Sequence, residues 1–305
     1  MKISLVTPAG PGTRNGNRHT ALCWAAFLRA AGHRVAVSTE DLSSSADLML
    51  ALHARRSYGS IHSFTKKLVV ALTGTDVYRD LRTSAEARES LALAHRLIVL
   101  QPKALDAIPE GFRSKARVVV QSSATRLRHD PVKGKFRICV IGHLRDEKDP
   151  LRTLAALSLL PGEDIEVVQL GALLDPALQP ETADPRYRWL GGVPHARALR
   201  WLASSHAMVI SSRMEGGANV VCEAIRIGVP VLASRIDGNI GLLGTNYPGY
   251  FPLADEKALA RLIAKARDET FYRTLERHVA RLRPMVAPRS EARALLAAMP
   301  SARAR

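Results

Sequence analysis

The chain is short of cysteine, of aromatic residues and of acids, and each shortage closes off a class of function. Three cysteines in 305 residues, Cys23, Cys139 and Cys222, are too few and too scattered for a disulfide framework or a zinc cluster. They fit a reducing, cytoplasmic setting. Aromatics make up 5% of the chain, and nowhere do they interleave with basic residues as single-strand binders require. No apolar run reaches the roughly 18 residues of a membrane span. The opening Met1-Lys-Ile-Ser-Leu-Val-Thr-Pro lacks the apolar core of a signal peptide and reads as a strand. There is no Asp-x-Asp, and no His/Cys/Asp cluster has ligand spacing. A metal-bridged diphosphate therefore has nothing to build on, and no metal or cofactor is expected. Repeats and low-complexity blocks are also missing.

Acids are outnumbered, 28 Asp and Glu against 44 Lys and Arg, for a net charge of +16. Such an excess raises nucleic acid or an anionic substrate as partner. From Arg261 onward 11 basic residues face 4 acids, so this stretch carries +7 of the excess. It has the character of solvated helix surface rather than of a groove. An anionic small molecule is the expected partner, with no nucleic acid and no membrane.

What the chain does have is two α/β halves. At 47% hydrophobic it is long enough to bury two cores. In the first half the β-rich runs are Ile3–Thr7, Arg34–Ser38, Leu48–Leu52, Leu68–Leu72, Leu97–Leu100 and Val118–Gln121, with helices such as Thr20–Ala31 and Ala85–Ala94 between them. Ser122–Lys135, polar and basic with Pro131 and Gly134, reads as a linker. The second half has strands at Phe136–Gly142, Ile165–Leu170, Tyr187–Leu190, Ala207–Ser212 and Val229–Ser234. Its helices are placed at Pro150–Leu160, Ala196–Ser204, Asn219–Ile227 and Lys257–Asp268. Alternation of this kind predicts parallel sheets that bind ligands at the carboxyl ends of their strands. The expected architecture is two Rossmann-like domains, 1–125 and 135–284, facing a cleft, with a C-terminal helix at about 285–305 packing back on the first.

The most informative stretch is Glu215-Gly-Gly-Ala-Asn-Val-Val-Cys-Glu223, between two apolar runs. Strand, small-residue loop, helix and strand make a βαβ unit. Asn219 is the expected N-cap, and Gly228 followed by Pro230 marks the helix end. The amides of Gly216, Gly217 and Ala218 would converge on a helix N-terminus, a seat for phosphate. A carboxylate on either side suits a sugar nucleotide, one for the ribose hydroxyls and one for the sugar. A second loop, Gly142-His143-Leu-Arg145-Asp-Glu-Lys148, follows the first strand of this half. Arg145 and Lys148 can both address a diphosphate, the first as a fork and the second as a point charge. The acids Asp146, Glu147 and Asp149 are their rival partners.

Three loops of the first half offer positive charge. Thr7 to Arg18 holds Gly10, Gly12, Arg14, Gly16, Asn17 and Arg18 at a helix start. The same glycines, with Glu40 or Asp41 ending strand two, also sketch a dinucleotide site. The other two loops are His53-Ala-Arg55-Arg56-Ser and Thr73-Gly74-Thr75-Asp76-Val-Tyr78-Arg79. A surface role fits Tyr78 and Arg79 as well as a functional one. An anionic acceptor would use the arginines, whereas a hydroxyl acceptor would ask Asp76 or His53 to act as base.

These residues resemble a family. The second half is similar to the nucleotide-binding domain of retaining E-x7-E glycosyltransferases of GT-B architecture. The likeness rests on Gly142 with Lys148, Gly191-Gly192-Val193-Pro194, Glu215 to Glu223, Gly228-Val-Pro230 and Gly238-Asn239. It implies that Lys148 holds the diphosphate, Glu223 the ribose and Glu215 the donor sugar. His143 stands where an arginine usually follows the glycine, so Arg145 is the substitute; Thr73 or Thr75 replaces a histidine that normally reaches the sugar. A narrower resemblance spans nearly the whole chain, to the selenosugar synthases of selenoneine biosynthesis. It is carried by Thr7-Pro-Ala, Gly16-Asn-Arg18, Ala51-Leu-His53-Ala-Arg55-Arg56-Ser, Leu72-Thr-Gly74-Thr-Asp76, Arg186-Tyr-Arg-Trp-Leu-Gly191, Ser212-Arg213-Met-Glu215-Gly-Gly-Ala-Asn219 and Tyr247-Pro-Gly-Tyr-Phe-Pro252. It implies sugar transfer from UDP-N-acetylglucosamine or UDP-glucose to selenophosphate, with Glu215, Arg145 and Lys148 catalytic. It also implies a functional link to an enzyme that supplies selenophosphate.

Overall fold

The computed structural model describes residues 1–13, 15–41 and 45–300. They form two compact units: Met1–Gln121 with the segment from Pro288 onward, and Ser122–Ala287.

In the first unit six parallel strands, β1 Lys2–Val6, β2 Arg34–Ser38, β3 Leu48–Leu52, β4 Lys67–Leu72, β5 Arg96–Val99 and β6 Ala116–Val118, lie in the order β2-β1-β3-β4-β5-β6. All five residues of β3, Leu-Met-Leu-Ala-Leu, are buried, as a parallel strand covered on both faces requires. The strand's period of two divides them between two cores. Leu48, Leu50 and Leu52 join Trp24 and Leu28 of the helix Gly16–Ala30, while Met49 and Ala51 join Leu68, Val70 and Leu91. The C-terminal helix Pro288–Ala298 adds Leu295 and Ala298 to the first core. It is tied down by the Trp24 indole N–H, which donates to Glu291 Oε1 at 2.7 Å, both groups being buried. Strand β6 begins and ends earlier than the apolar run Val118–Gln121 suggests. Its pairing with β5 stops at Val99↔Val118, so the chain past that point has one remaining sheet bond, Val119 N–H to Val99 O.

In the second unit β7 Phe136–Ile141, β8 Ile165–Leu170, β9 Tyr187–Trp189, β10 Ala207–Ile210, β11 Val231–Ser234 and β12 Tyr250–Phe251 run in parallel, in the order β12-β11-β10-β7-β8-β9. The segment 122–135 has no regular structure but is pinned to this unit, Asp130 N–H to Ala203 O and Val132 N–H to Ser204 O. The chain leaves the centre of this sheet in opposite directions, to β8 and β9 on one side and to β10, β11 and β12 on the other. The switch lies between β7 and β10, where open α/β sheets bind their ligands. In the first unit the same point lies between β1 and β3. The two-sheet GT-B class read from the sequence is what the fold shows. No helix of the described residues is long and apolar enough to cross a membrane.

Candidate active site

At the β7/β10 switch the two loops singled out in the sequence meet. After β7, Gly142 to Arg145 lead into a single tight turn, Asp146–Lys148, closed by Asp149 in a left-handed conformation at φ 44°. That turn aims Lys148 Nζ at Glu215 Oε1, 2.5 Å away. Ser212 Oγ donates to the same oxygen at 2.6 Å. Only 8% of the Glu215 side chain is exposed, so its charge needs both partners. Two of the rival acids, Asp146 and Asp149, pair elsewhere. Arg213, whose N–H donates to Glu147 O, reaches Asp146 and Asp149 at 3.6 Å, and Arg152 takes Asp149 at 2.8 Å. Arg145 stays 42% exposed, with Glu147 no nearer than 3.9 Å.

Two glycines make this geometry possible. A Cβ on Gly238, in the first turn of the helix Asp237–Leu243, would sit 2.1 Å from Glu215 O and 2.7 Å from Glu215 Cβ. A Cβ on Gly171, at φ 154°, would lie 1.9 Å from Gly142 O. Both contacts are below any real carbon approach, so the loops can close only around hydrogen. His143, expected at the donor, spends its Nδ1 on the Ala172 N–H at 3.1 Å and thereby fastens the Gly142 loop to the end of β8.

The helix Asn219–Ile227 has the span predicted for it, but its cap lies one residue earlier than expected. Ala218 is the N-cap, extended at φ −89° and ψ 97°, and Asn219 is the first helical residue. The ladder begins with Val221 and Cys222 N–H, both donating to Ala218 O. The amides of Gly216, Gly217, Ala218 and Asn219 thus precede it, at the positive end of the dipole. Gly228 ends the helix in the left-handed conformation, φ 106°. Glu223, on the buried face, has Oε1 at 2.7 Å from His195 Nε2. His195 opens the helix His195–Ala203 directly after Gly191-Gly192-Val193-Pro194. Neither Ser212 nor His195 was assigned a role from the sequence. For His195 the available signal was that glycine-rich stretch.

In the first unit the structure joins two of the three expected loops. His53 follows β3 with φ 73°, a strained value for a residue with a Cβ, and is 2% exposed. Its Nδ1 accepts from the Arg56 N–H at 3.2 Å, so the proton sits on Nε2, 3.0 Å from Thr75 Oγ1. Burial lowers the imidazole pKa, against the raising pull of Asp76. Asp76 works inside the loop rather than at its surface. Fully buried, it accepts from the amides of Thr73, Gly74, Val77 and Ala54 at 2.7 to 3.1 Å. Tyr78 and Arg79 lie in the short wide-turn helix Asp76–Asp80 that follows. Arg55 remains 52% exposed, 3.8 Å from the buried Asp80. Arg56 and Arg18 have no ion pair among the described residues. Arg18 lies with Gly16 and Asn17 in the first turn of Gly16–Ala30, where its N–H donates to the N-cap Asn15. Arg14 lies outside the described residues. Asp41, one of the two acids a dinucleotide site could use, accepts from Ser4 Oγ at 2.8 Å. Among the described residues no group of three His, Cys, Asp or Glu is placed to hold a metal ion.

Comparison with known proteins agrees with the two-sheet fold. The chain is similar over 98% of its length to all of a sucrose-phosphate synthase from Thermosynechococcus elongatus, with a TM-score of 0.75 and 17% identity. It is similar to Anabaena HepE, solved in complex with UDP-glucose, with a TM-score of 0.75 and 15% identity over 97% of this chain and 98% of that one. A glycosyltransferase from Rickettsia africae gives a TM-score of 0.71 at 12% identity, over 97% of both chains. The model of the glycosyl transferases group 1 family matches residues 121–278, which include both loops of the Lys148–Glu215 site. The chain belongs to the glycosyl transferases group 1 family.

Proposed function

We propose that this glycosyltransferase moves the sugar of UDP-N-acetylglucosamine or UDP-glucose to selenophosphate. The donor half of the reading is supported by the switch-point site and by the UDP-glucose that HepE, of like fold, holds. Lys148, Arg145 and the amides before Asn219 neutralise the departing diphosphate, Glu223 takes the ribose hydroxyls, and Glu215 positions the sugar.

The observation that carries the acceptor half is the state of the two candidate bases. Asp76 is consumed by four backbone amides, and the His53 imidazole is buried with its lone pair on Nδ1 already accepting. A hydroxyl acceptor must lose a proton as it attacks, and neither group is placed to receive it. Selenophosphate arrives deprotonated and needs binding and orientation instead. Arg18, Arg55 and Arg56 supply positive charge for that. A selenium lone pair forms the C1–Se bond, and the C1–O bond to the diphosphate breaks with its electron pair leaving on UDP. Water then cleaves the Se–P bond, releasing phosphate and the selenosugar.

UDP release tests this reading. With either UDP-sugar, selenophosphate should drive release where free sugars and glycerol do not, and EDTA should leave the rate unchanged. Arg18→Ala should raise the apparent KM for selenophosphate about tenfold, the loss of one charged hydrogen bond, without moving UDP affinity or Tm. Release driven only by hydroxyl acceptors, or abolished by EDTA and restored by magnesium, would overturn the proposal.

A further inference from the structure

The sequence places Glu223 in the donor site but gives it no partner, and the structure supplies one 28 positions away. Glu223 is the fifth residue of Asn219–Ile227, its chain neighbours Cys222 and Ala224 are also buried, and 8% of its side chain is exposed. A carboxylate so placed is costly unless something compensates its charge. His195 does so from the neighbouring helix, with Nε2 at 2.7 Å from Oε1, while keeping 55% of its own side chain open to solvent.

The position of His195 makes this informative. It is the first residue of its helix, where the dipole disfavours a cation and would hold an imidazole neutral. The hydrogen bond to Glu223 acts the other way and raises the imidazole pKa above its ordinary value. Of the charged groups on the two helices, Arg197 and Arg200 beside His195 and Glu223 and Arg226 opposite, only Glu223 perturbs it. The pairing therefore outweighs the partial burial of the ring.

We propose that His195 is a positioning residue of the donor site: it holds one oxygen of Glu223, presents the other to the ribose hydroxyls, and tightens donor binding when protonated. The inference rests on the donor reading above. Ribose binding takes the remaining exposed 8% of the Glu223 side chain out of solvent, and a cation on His195 lowers the cost of that step. The sign follows from the raised pKa. The added affinity is present while His195 is protonated and is lost as pH rises through its pKa. By reciprocity, a bound donor must raise that pKa further.

The test is an NMR titration of the His195 ring in the full chain, with and without saturating UDP-glucose. The signal is assigned by its absence in His195→Gln. UDP-glucose is the right probe because its diphosphate diester keeps a constant charge across this range. The expected result is an upward shift of the His195 pKa on binding, with affinity severalfold higher at about pH 6 than at about pH 8. His195→Gln keeps an N–H toward Glu223 but takes no proton, so it should flatten the pH dependence and lose less affinity than His195→Ala. UDP-glucose binding with an unmoved His195 titration, or His195→Gln with the pH dependence intact, would overturn the proposal alone. Failure of the unaltered protein to bind UDP-glucose or UDP-N-acetylglucosamine at any pH would overturn the donor reading as well.

Discussion

Lys148→Ala is expected to lower turnover by a factor of about 10²–10³, the loss seen when one preorganised group facing a developing anion is removed. The same change should reduce stability. The Lys148 ammonium and the Ser212 hydroxyl are the groups that compensate the buried Glu215 carboxylate. Removing one partner of such a pair costs about 3–5 kcal/mol. Two measurements separate the effects. Thermal melts should show Lys148→Ala destabilised and Lys148→Ala/Glu215→Ala partly restored, because the double variant leaves no orphaned charge. Initial rates should show the double variant no more active than either single one. A melting temperature unchanged by Lys148→Ala would mean that the 2.5 Å pair contributes nothing to the fold.

Glu223→Ala should weaken UDP affinity about tenfold to a hundredfold, since a hydrogen bond to a charged group contributes roughly 1.5–3 kcal/mol. Glu215→Ala should instead act chiefly on kcat, because Glu215 is assigned to the sugar and not to the nucleotide. The eight-residue spacing turns into this division through the helix: Glu215 stays in the loop beside Lys148, while Glu223 is carried a turn along the buried face to His195. Calorimetry with UDP decides between the assignments. Unchanged affinity in Glu223→Ala would contradict the ribose role, and an equal loss in both variants would merge the two.

The strands were legible where an apolar run and its hydrogen-bonded partner coincide. Leu48–Leu52 and Ile165–Leu170 fall where the sequence places them because they are buried on both faces, and the edge strand Arg34–Ser38 does so because all five of its residues pair with β1. The two-residue strand Tyr250–Phe251 was invisible, because two residues carry no period. Val118–Gln121 misled because strand propensity outruns the partner strand. At the site, residue types and loop positions were readable, but the partners were not. Lys148 faces three acids within a few residues, and nothing local says that it takes Glu215, 67 positions on. Asp76 reads as a candidate base in the sequence because its four amide donors are backbone groups, which composition cannot reveal. Asn219 has the right side chain for a cap, yet the extended backbone falls on Ala218.

The decisive measurement is mass spectrometry of the products formed by the unaltered chain from selenophosphate and either UDP-N-acetylglucosamine or UDP-glucose. The expected products are UDP, phosphate and a selenium-containing sugar whose selenium is bonded to C1. Intact UDP-sugar, or a sugar transferred to water or to a hydroxyl compound while selenophosphate is returned unchanged, would contradict the assignment.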